Sequence, residues 1–187
     1  QPSLTANITE APLTITADVV YKASGTTLTS PATGVTAFSA DGLVNDETVG
    51  SVTMTYGTGA ASTAAVGTYA NTATPSAATG GTFTAGNYAI TYVSNNIVVG
   101  NMRFSVANGN WNSTNTWSTT SNGTAGASVP TSADFVVIDS NTTVTVTANA
   151  VCANLTVGTT APLNSTLNIN ASISLTVNAA VTIPRAG

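Results

Sequence analysis

Few side chains in this sequence could do chemistry, and they are scattered. Trp111 and Trp117 stand six residues apart in a polar stretch. Aromatic faces can stack on sugar rings, which makes this pair a candidate glycan contact. The competing reading places the two rings over the open end of a β core. Asp41, Asn45, Asp46 and Glu47 cluster in "DGLVNDET". Calcium takes several oxygen ligands, so these four are a candidate calcium site. Their spacing departs from an EF-hand loop, which alternates its ligands and has Gly at its sixth position. The competing reading is a turn at Asp41-Gly42 leading into a short helical turn capped by Asn45 or Asp46. Asp134 and Asp139 flank "FVVI". A glycosidase would need two carboxyls about 5 Å apart, or somewhat wider for inversion. Otherwise the two are strand-end and turn residues. Cys152 is the single cysteine, so no disulfide forms within the chain, and its surroundings suit a small buried hydrophobe. Lys22 is the single lysine. It could crosslink to an Asn with Glu10 or Asp18 as the assisting acid, or it could be a solvated lysine near a strand end.

The rest of the composition explains the scarcity. In 187 residues there are seven Asp or Glu, three Lys or Arg and no His. Proton transfer and covalent catalysis draw on those residue types, so no enzyme and no resident cofactor is expected. Lys22, Arg103 and Arg185 lie about eighty residues apart. Nucleic-acid binding needs clustered cations, and it is not expected. No run approaches 18 apolar residues, so no membrane span is expected. The chain begins with Gln1, which fits a mature secreted protein or a piece of a longer one.

The elements that must carry these residues are strands. Hydrophobic residues make up 42% of the chain but aromatics only 6%, so the core must be built from Val, Ile, Leu and Ala. Thr, Val and Ile suit a pleated, half-buried surface. "PLTITADVVY" and "GSVTMTYG" alternate with period two. A strand near Tyr69, a hairpin with an exposed tip near Pro75–Gly81, and two strands in "GNYAITYVSNNIVVGN" split at Ser94 to Asn96 complete a first module. The rhythm changes near Asn101. Beyond Ala133, short strands recur between Asn, Ser and Ala, with "LNINASIS" and "LTVNAAVT" offset by eight residues. Such spacing predicts solenoid rungs, apolar residues inward and Thr and Asn outward, with Asn laddering at the corners. The expected class is mainly β: a small β-sandwich or β-grasp-like domain over 12–100, then parallel β-helix or solenoid rungs over 101–187. Residues 1–11 read as a linker or an N-terminal strand. An apolar rung ending at "VTIPRAG" implies continuation beyond Gly187 or cover by another chain.

Four pieces in order, Leu13–Tyr21, Gly42–Thr48, Val66–Tyr69 and Asn87–Val99, resemble the MBG-type repeats of large bacterial surface proteins. Asn45-Asp46 lacks the Gly usual before the Asp there. The later pieces "NGNWNSTNTWS", "VPTSADFVVI", "TVTVTANAVCANLTV" and "LTVNAAVTI" resemble the entry into parallel β-helix segments of Bacteroidota surface proteins. The resemblance implies a non-catalytic segment of a secreted, extracellular adhesin or filament at the bacterial cell surface. It supplies no catalytic residues to carry over. The implied partners are neighbouring modules, other copies of the chain, and surface glycans. Two alternatives stand beside it: a carbohydrate-binding module attached to an enzyme outside this segment, and a self-assembling filament subunit.

Overall fold

The computed structural model describes residues 9–139, 141–158 and 164–184. The protein is mainly β. Among the described residues there is no α-helix, only two single 3-10 turns at Ala85–Asn87 and Thr114–Thr116. The chain divides into two compact units. The first holds the chain up to Val20 with Thr27–Ala61 and Thr68–Ile97; the second holds Tyr21–Thr26, Ser62–Gly67 and the chain from Val98 on.

The strands of the first part are β1 (Ala11–Ala17), β2 (Val20–Ala23), β3 (Ala32–Val35), β4 (Phe38–Asp41), β5 (Val49–Tyr56), β6 (Gly67–Gly81), β7 (Tyr88–Val93) and β8 (Asn95–Gly100). They form two sheets, ordered β4-β1-β7 and β2-β8-β6-β5-β3. Alternation sets which faces are buried. In β1, Leu13, Ile15 and Ala17 are buried while Thr14 and Thr16 stay half-exposed. Val52 and Met54 do the same in β5. β1 runs parallel to β7 over six residue pairs, from Ala11 opposite Tyr88 to Thr16 opposite Val93. A single residue, Ser94, separates β7 from β8, so the chain steps from one sheet into the other.

Tyrosines of β7 tie down the connections. Tyr88 Oη accepts from the Val44 backbone N–H at 3.1 Å and donates to the Glu47 carboxylate at 2.5 Å. Tyr92 Oη accepts from Ala78 N–H at 2.9 Å. That N–H belongs to a bulge. The β5–β6 register shifts between Ser51 and Thr53, leaving one extra residue on β6, and Ala77 beside it has φ of 46°. Tyr92→Phe removes the acceptor for that N–H. It should cost about 1 kcal/mol in denaturant unfolding, with the slope unchanged.

Two expectations are corrected here. Pro75–Gly81 is not a hairpin tip: it lies inside β6, with Pro75 opposite Met54 and Thr79 opposite Ser51. The bulge absorbs the residue that made the stretch look irregular. Asn45 and Asp46 do not start a helical turn either. Both have left-handed backbones, φ of 55° and 56°, which a right-handed helix cannot use.

The second unit contains β9 (Met102–Ser105), β10 (Gly109–Asn110), β11 (Trp117–Ser118), β12 (Phe135–Ile138), β13 (Thr143–Val146), β14 (Ala150–Cys152), β15 (Asn154–Val157), β16 (Thr166–Ile169), β17 (Leu175–Val177) and β18 (Val181–Thr182). They line up in three parallel ladders: β9-β12-β15-β18, β10-β13-β16 and β14-β17. β11 adds to the first ladder antiparallel, against β9. Like residues face like across each step. Val136 lies opposite Leu155, Val144 opposite Leu167, and Cys152 opposite Val177. Outside, Thr143 lies opposite Thr166 and Thr145 opposite Asn168. Asn164 Nδ2 donates to Asn141 Oδ1 at 3.3 Å, and Ser174 N–H donates to Asn149 Oδ1 at 3.0 Å. The apolar interior is well covered at the β12–β13 level and opens toward β16 and β18. Val146 is 0% exposed and its partner Ile169 49%; Leu155 is 4% exposed and its partner Val181 57%.

Candidate functional site

Trp111 and Trp117 are brought together and buried. Their rings meet edge to face, centroids 5.1 Å apart at 74°. Trp117 Nε1–H donates to the Trp111 carbonyl at 2.7 Å. Both rings are at most 1% exposed and belong to one core cluster with Val136, Ile138, Val144, Val146, Cys152 and Leu155. Sugar stacking needs an open ring face, and neither ring offers one. The local sequence explains the placement. Thr114–Thr116 forms a 3-10 turn, its N-terminus capped by the Ser113 hydroxyl accepting from Asn115 N–H at 3.3 Å. That turn reverses the chain between the two rings, and Trp111 N–H bonds to the Thr145 carbonyl of β13 at 2.8 Å.

Polar side chains close the same end of the first ladder. Arg103 lies opposite Val136 and is buried. Its guanidinium donates to the Ser128 carbonyl at 3.0 Å, the Ser128 hydroxyl at 2.7 Å and the Met102 carbonyl at 2.9 Å. Where later steps stack Val and Leu, the first step places a cation among oxygen acceptors. Sequence reasoning counted Arg103 as too isolated for nucleic acid and missed this role. Alternation in this strand would turn Met102 and Phe104 inward, yet Arg103 and Ser105 are the buried pair, so the sequence carried no signal for it.

Asp134 and Asp139 sit at opposite ends of β12. Five residue steps of strand put them about 16 Å apart. Asp134 is fully engaged in a turn. One oxygen accepts from Asn101 N–H at 3.1 Å and Asn101 Nδ2 at 3.3 Å; the other accepts from Thr131 N–H at 2.8 Å and the Thr131 hydroxyl at 2.9 Å. Asp139 accepts from the Ser121 hydroxyl, and its own N–H donates to Ser105 Oγ at 2.7 Å. The calcium candidates are divided: Asp41 ends β4 and is exposed, Asn45 and Asp46 occupy the left-handed turn, and Glu47 is held by Tyr88. Among the described residues no three His, Cys, Asp or Glu gather as a metal would need. Lys22 is buried, and its ammonium donates to the Thr26 carbonyl at 2.5 Å. Burial lowers its pKa from the ordinary lysine value.

Cys152 is buried, and its thiol pKa is pushed up to about 12, first by burial and then by the negative charge of Asp134. Such a thiol stays protonated and unreactive at neutral pH. The same shift predicts alkaline lability. Below pH 9 the thiol is protonated in both states. Between the ordinary value of 9.0 and about 12, only the unfolded chain has released its proton. Stability should therefore fall with rising pH in that window, by up to ~1.4 kcal/mol per unit. The Tyr88 pKa is also raised, chiefly by its hydrogen bond to Glu47, so its ionisation acts in the same direction. Unfolding curves across this window check the prediction; Cys152→Ala should flatten the slope.

No helix among the described residues is long and apolar enough to cross a membrane. Comparison with curated proteins and with solved structures returns no match. Comparison with family models does, over a span that includes Tyr56-Gly57-Thr58. Residues 13–98, the stretch from Leu13 of β1 to Val98 of β8, match the family described as MBG domain (YGX type), and this part of the chain is similar to MBG-type repeats.

Proposed function

We propose that the chain is a non-catalytic, tension-bearing segment of a large extracellular protein at the bacterial cell surface, part of an adhesin or filament stalk. In this reading the two sheets formed by β1 to β8 make a small sandwich. The three ladders of the second are the opening coils of a parallel β-helix. Neighbouring modules of the same polypeptide are its partners.

One observation carries the proposal. The strand that enters the MBG-type repeat, β1, is parallel to β7, and β7 leads through Ser94 into the exit strand β8. A pull on the two ends then acts along β1 and β7 in opposite directions. Their hydrogen bonds are loaded together in shear instead of opening one at a time. The separation of Asp134 and Asp139 supports the non-catalytic part, because about 16 Å is too wide for a carboxylate pair of either stereochemistry. The resemblance of the two halves to surface-protein repeats supports the location.

Single-molecule pulling tests the reading. Handles at the chain ends load β1 in shear. Handles at residues 18 and 37 open the antiparallel β1–β4 pair from its Ala17–Phe38 end, bond by bond. End-to-end rupture should need several times the force of the second geometry. Equal forces would remove the mechanical reading.

A further inference from the structure

The bend between β12 and β13 borders a half-open cavity of about 390 Å³. Its lining includes Ser105, Val106, Asn122, Asp139, Asn141 and Thr142. The volume falls within the roughly 300–1,000 Å³ typical of small-molecule sites. Of the residues singled out from the sequence, Asp139, weighed there as half of a carboxylate pair, is in the lining.

The polar groups are held in place. Asp139 is 6% exposed. Its N–H is bonded to Ser105 Oγ, the Ser105 and Thr142 hydroxyls lie 2.5 Å apart, and Thr142 Oγ–H donates to the Asp139 carbonyl at 2.8 Å. The Ser121 hydroxyl bonds to the Asp139 carboxylate, and Asn122 Nδ2 donates to Ser121 Oγ at 3.4 Å. Asn122 and Asn141 both sit at positive φ, 54° and 64°, a conformation that only Gly and Asn or Asp adopt at low cost.

The chemistry narrows the ligand. The one carboxylate disfavours anions, and the polar wall disfavours apolar molecules. A calcium ion uses acceptors only, and wants several of them charged. This cavity mixes acceptors with donors: the side-chain amides of Asn122 and Asn141 stand beside the carboxylate, while the Ser105 and Thr142 hydroxyls spend their protons within the protein. A group that both donates and accepts fits such a wall, and the commonest is a neutral hydroxyl. We propose that this cavity binds a neutral saccharide unit, its hydroxyls bonded to the Asp139 carboxylate and the Asn122 and Asn141 amides, with Val106 against the ring. The site stands on the second unit alone and does not depend on the stalk reading.

Backbone-amide NMR titration of the whole chain with galactose, mannose and N-acetylglucosamine tests it, with calcium chloride as a separate arm. At least one sugar should shift the amides of Val106, Asn122, Gly123, Asn141 and Thr142 and saturate near the millimolar range. Asp139→Asn alters a buried group and can disturb folding. Asn122→Gly and Asn141→Gly remove the amides while keeping the left-handed backbone. Each should weaken binding about tenfold while leaving the remaining spectrum in place. Three results would overturn the site: no saturating shift with any sugar, shifts located elsewhere, or these amides responding to calcium chloride and not to sugar.

Discussion

Replacing Gly100 with alanine will lower the melting temperature by roughly 10 °C, a loss on the order of 3 kcal/mol or more. Gly100 is the buried last residue of β8. A Cβ there would lie 1.5 Å from the Ala133 carbonyl oxygen and 2.5 Å from its carbon. Those are backbone atoms, so no rotamer change can relieve the clash. Neither strand can withdraw cheaply. One residue on, Phe135 N–H donates to the Asn101 carbonyl at 2.8 Å, and the β9–β12 register begins. Ser24 N–H also donates to the Gly100 carbonyl at 2.7 Å, which fixes the glycine from the other side. Gly86→Ala is the control: a Cβ at Gly86 meets nothing within 4 Å, and its melting temperature should match the parent. Thermal melts of the two variants side by side decide the matter.

Trp117→Ala should cost about 4 kcal/mol. The ring is 0% exposed, so its removal leaves a cavity in the cluster around Val136 and Val144. It also removes the edge-to-face contact with Trp111 and the bond to the Trp111 carbonyl. Trp117→Phe should recover most of the loss, since it keeps an aromatic ring and forgoes only volume and one hydrogen bond. A ring that served mainly as a sugar platform would behave differently. Its truncation would change stability by less than about 1 kcal/mol and act on binding instead. Chemical unfolding of the two variants separates these outcomes.

The alternating strands were legible because period two leaves no choice of face: Leu13, Ile15 and Ala17 in β1, Val52 and Met54 in β5, Val144 and Val146 in β13 all point inward as the pattern requires. The irregular strands were not. β6 contains Pro75, three glycines at its ends and an Ala at positive φ, each of which reads locally as a loop. Only pairing with β5 on one side and β8 on the other keeps it extended, and pairing is a long-range fact. β3 and β4, four residues each, also lacked a local signal. The cavity beside Asp139 was illegible for the same reason. Its lining comes from three stretches, around 105, 122 and 141, which the parallel ladders and the loop between them bring together. The tryptophans were recognised as a pair, but exposure cannot be read from spacing, and the open and buried readings diverge only once the fold is known.

Backbone ladders in register organise the second unit. Thr145 and Asn168 are direct partners on β13 and β16, flanked by the inward residues Val144 and Val146. Parallel neighbours lie about 4.8 Å apart, inside the range a disulfide spans. A Thr145→Cys/Asn168→Cys variant should therefore crosslink on mild oxidation, while the buried, protonated Cys152 stays out of the reaction. Thr145→Cys/Asn170→Cys moves one partner two residues along the same face, to about 8 Å, beyond that range. Mass spectrometry should find an intramolecular disulfide in the first variant and none in the second. Crosslinking of both to the same extent, or of the second alone, would contradict that register.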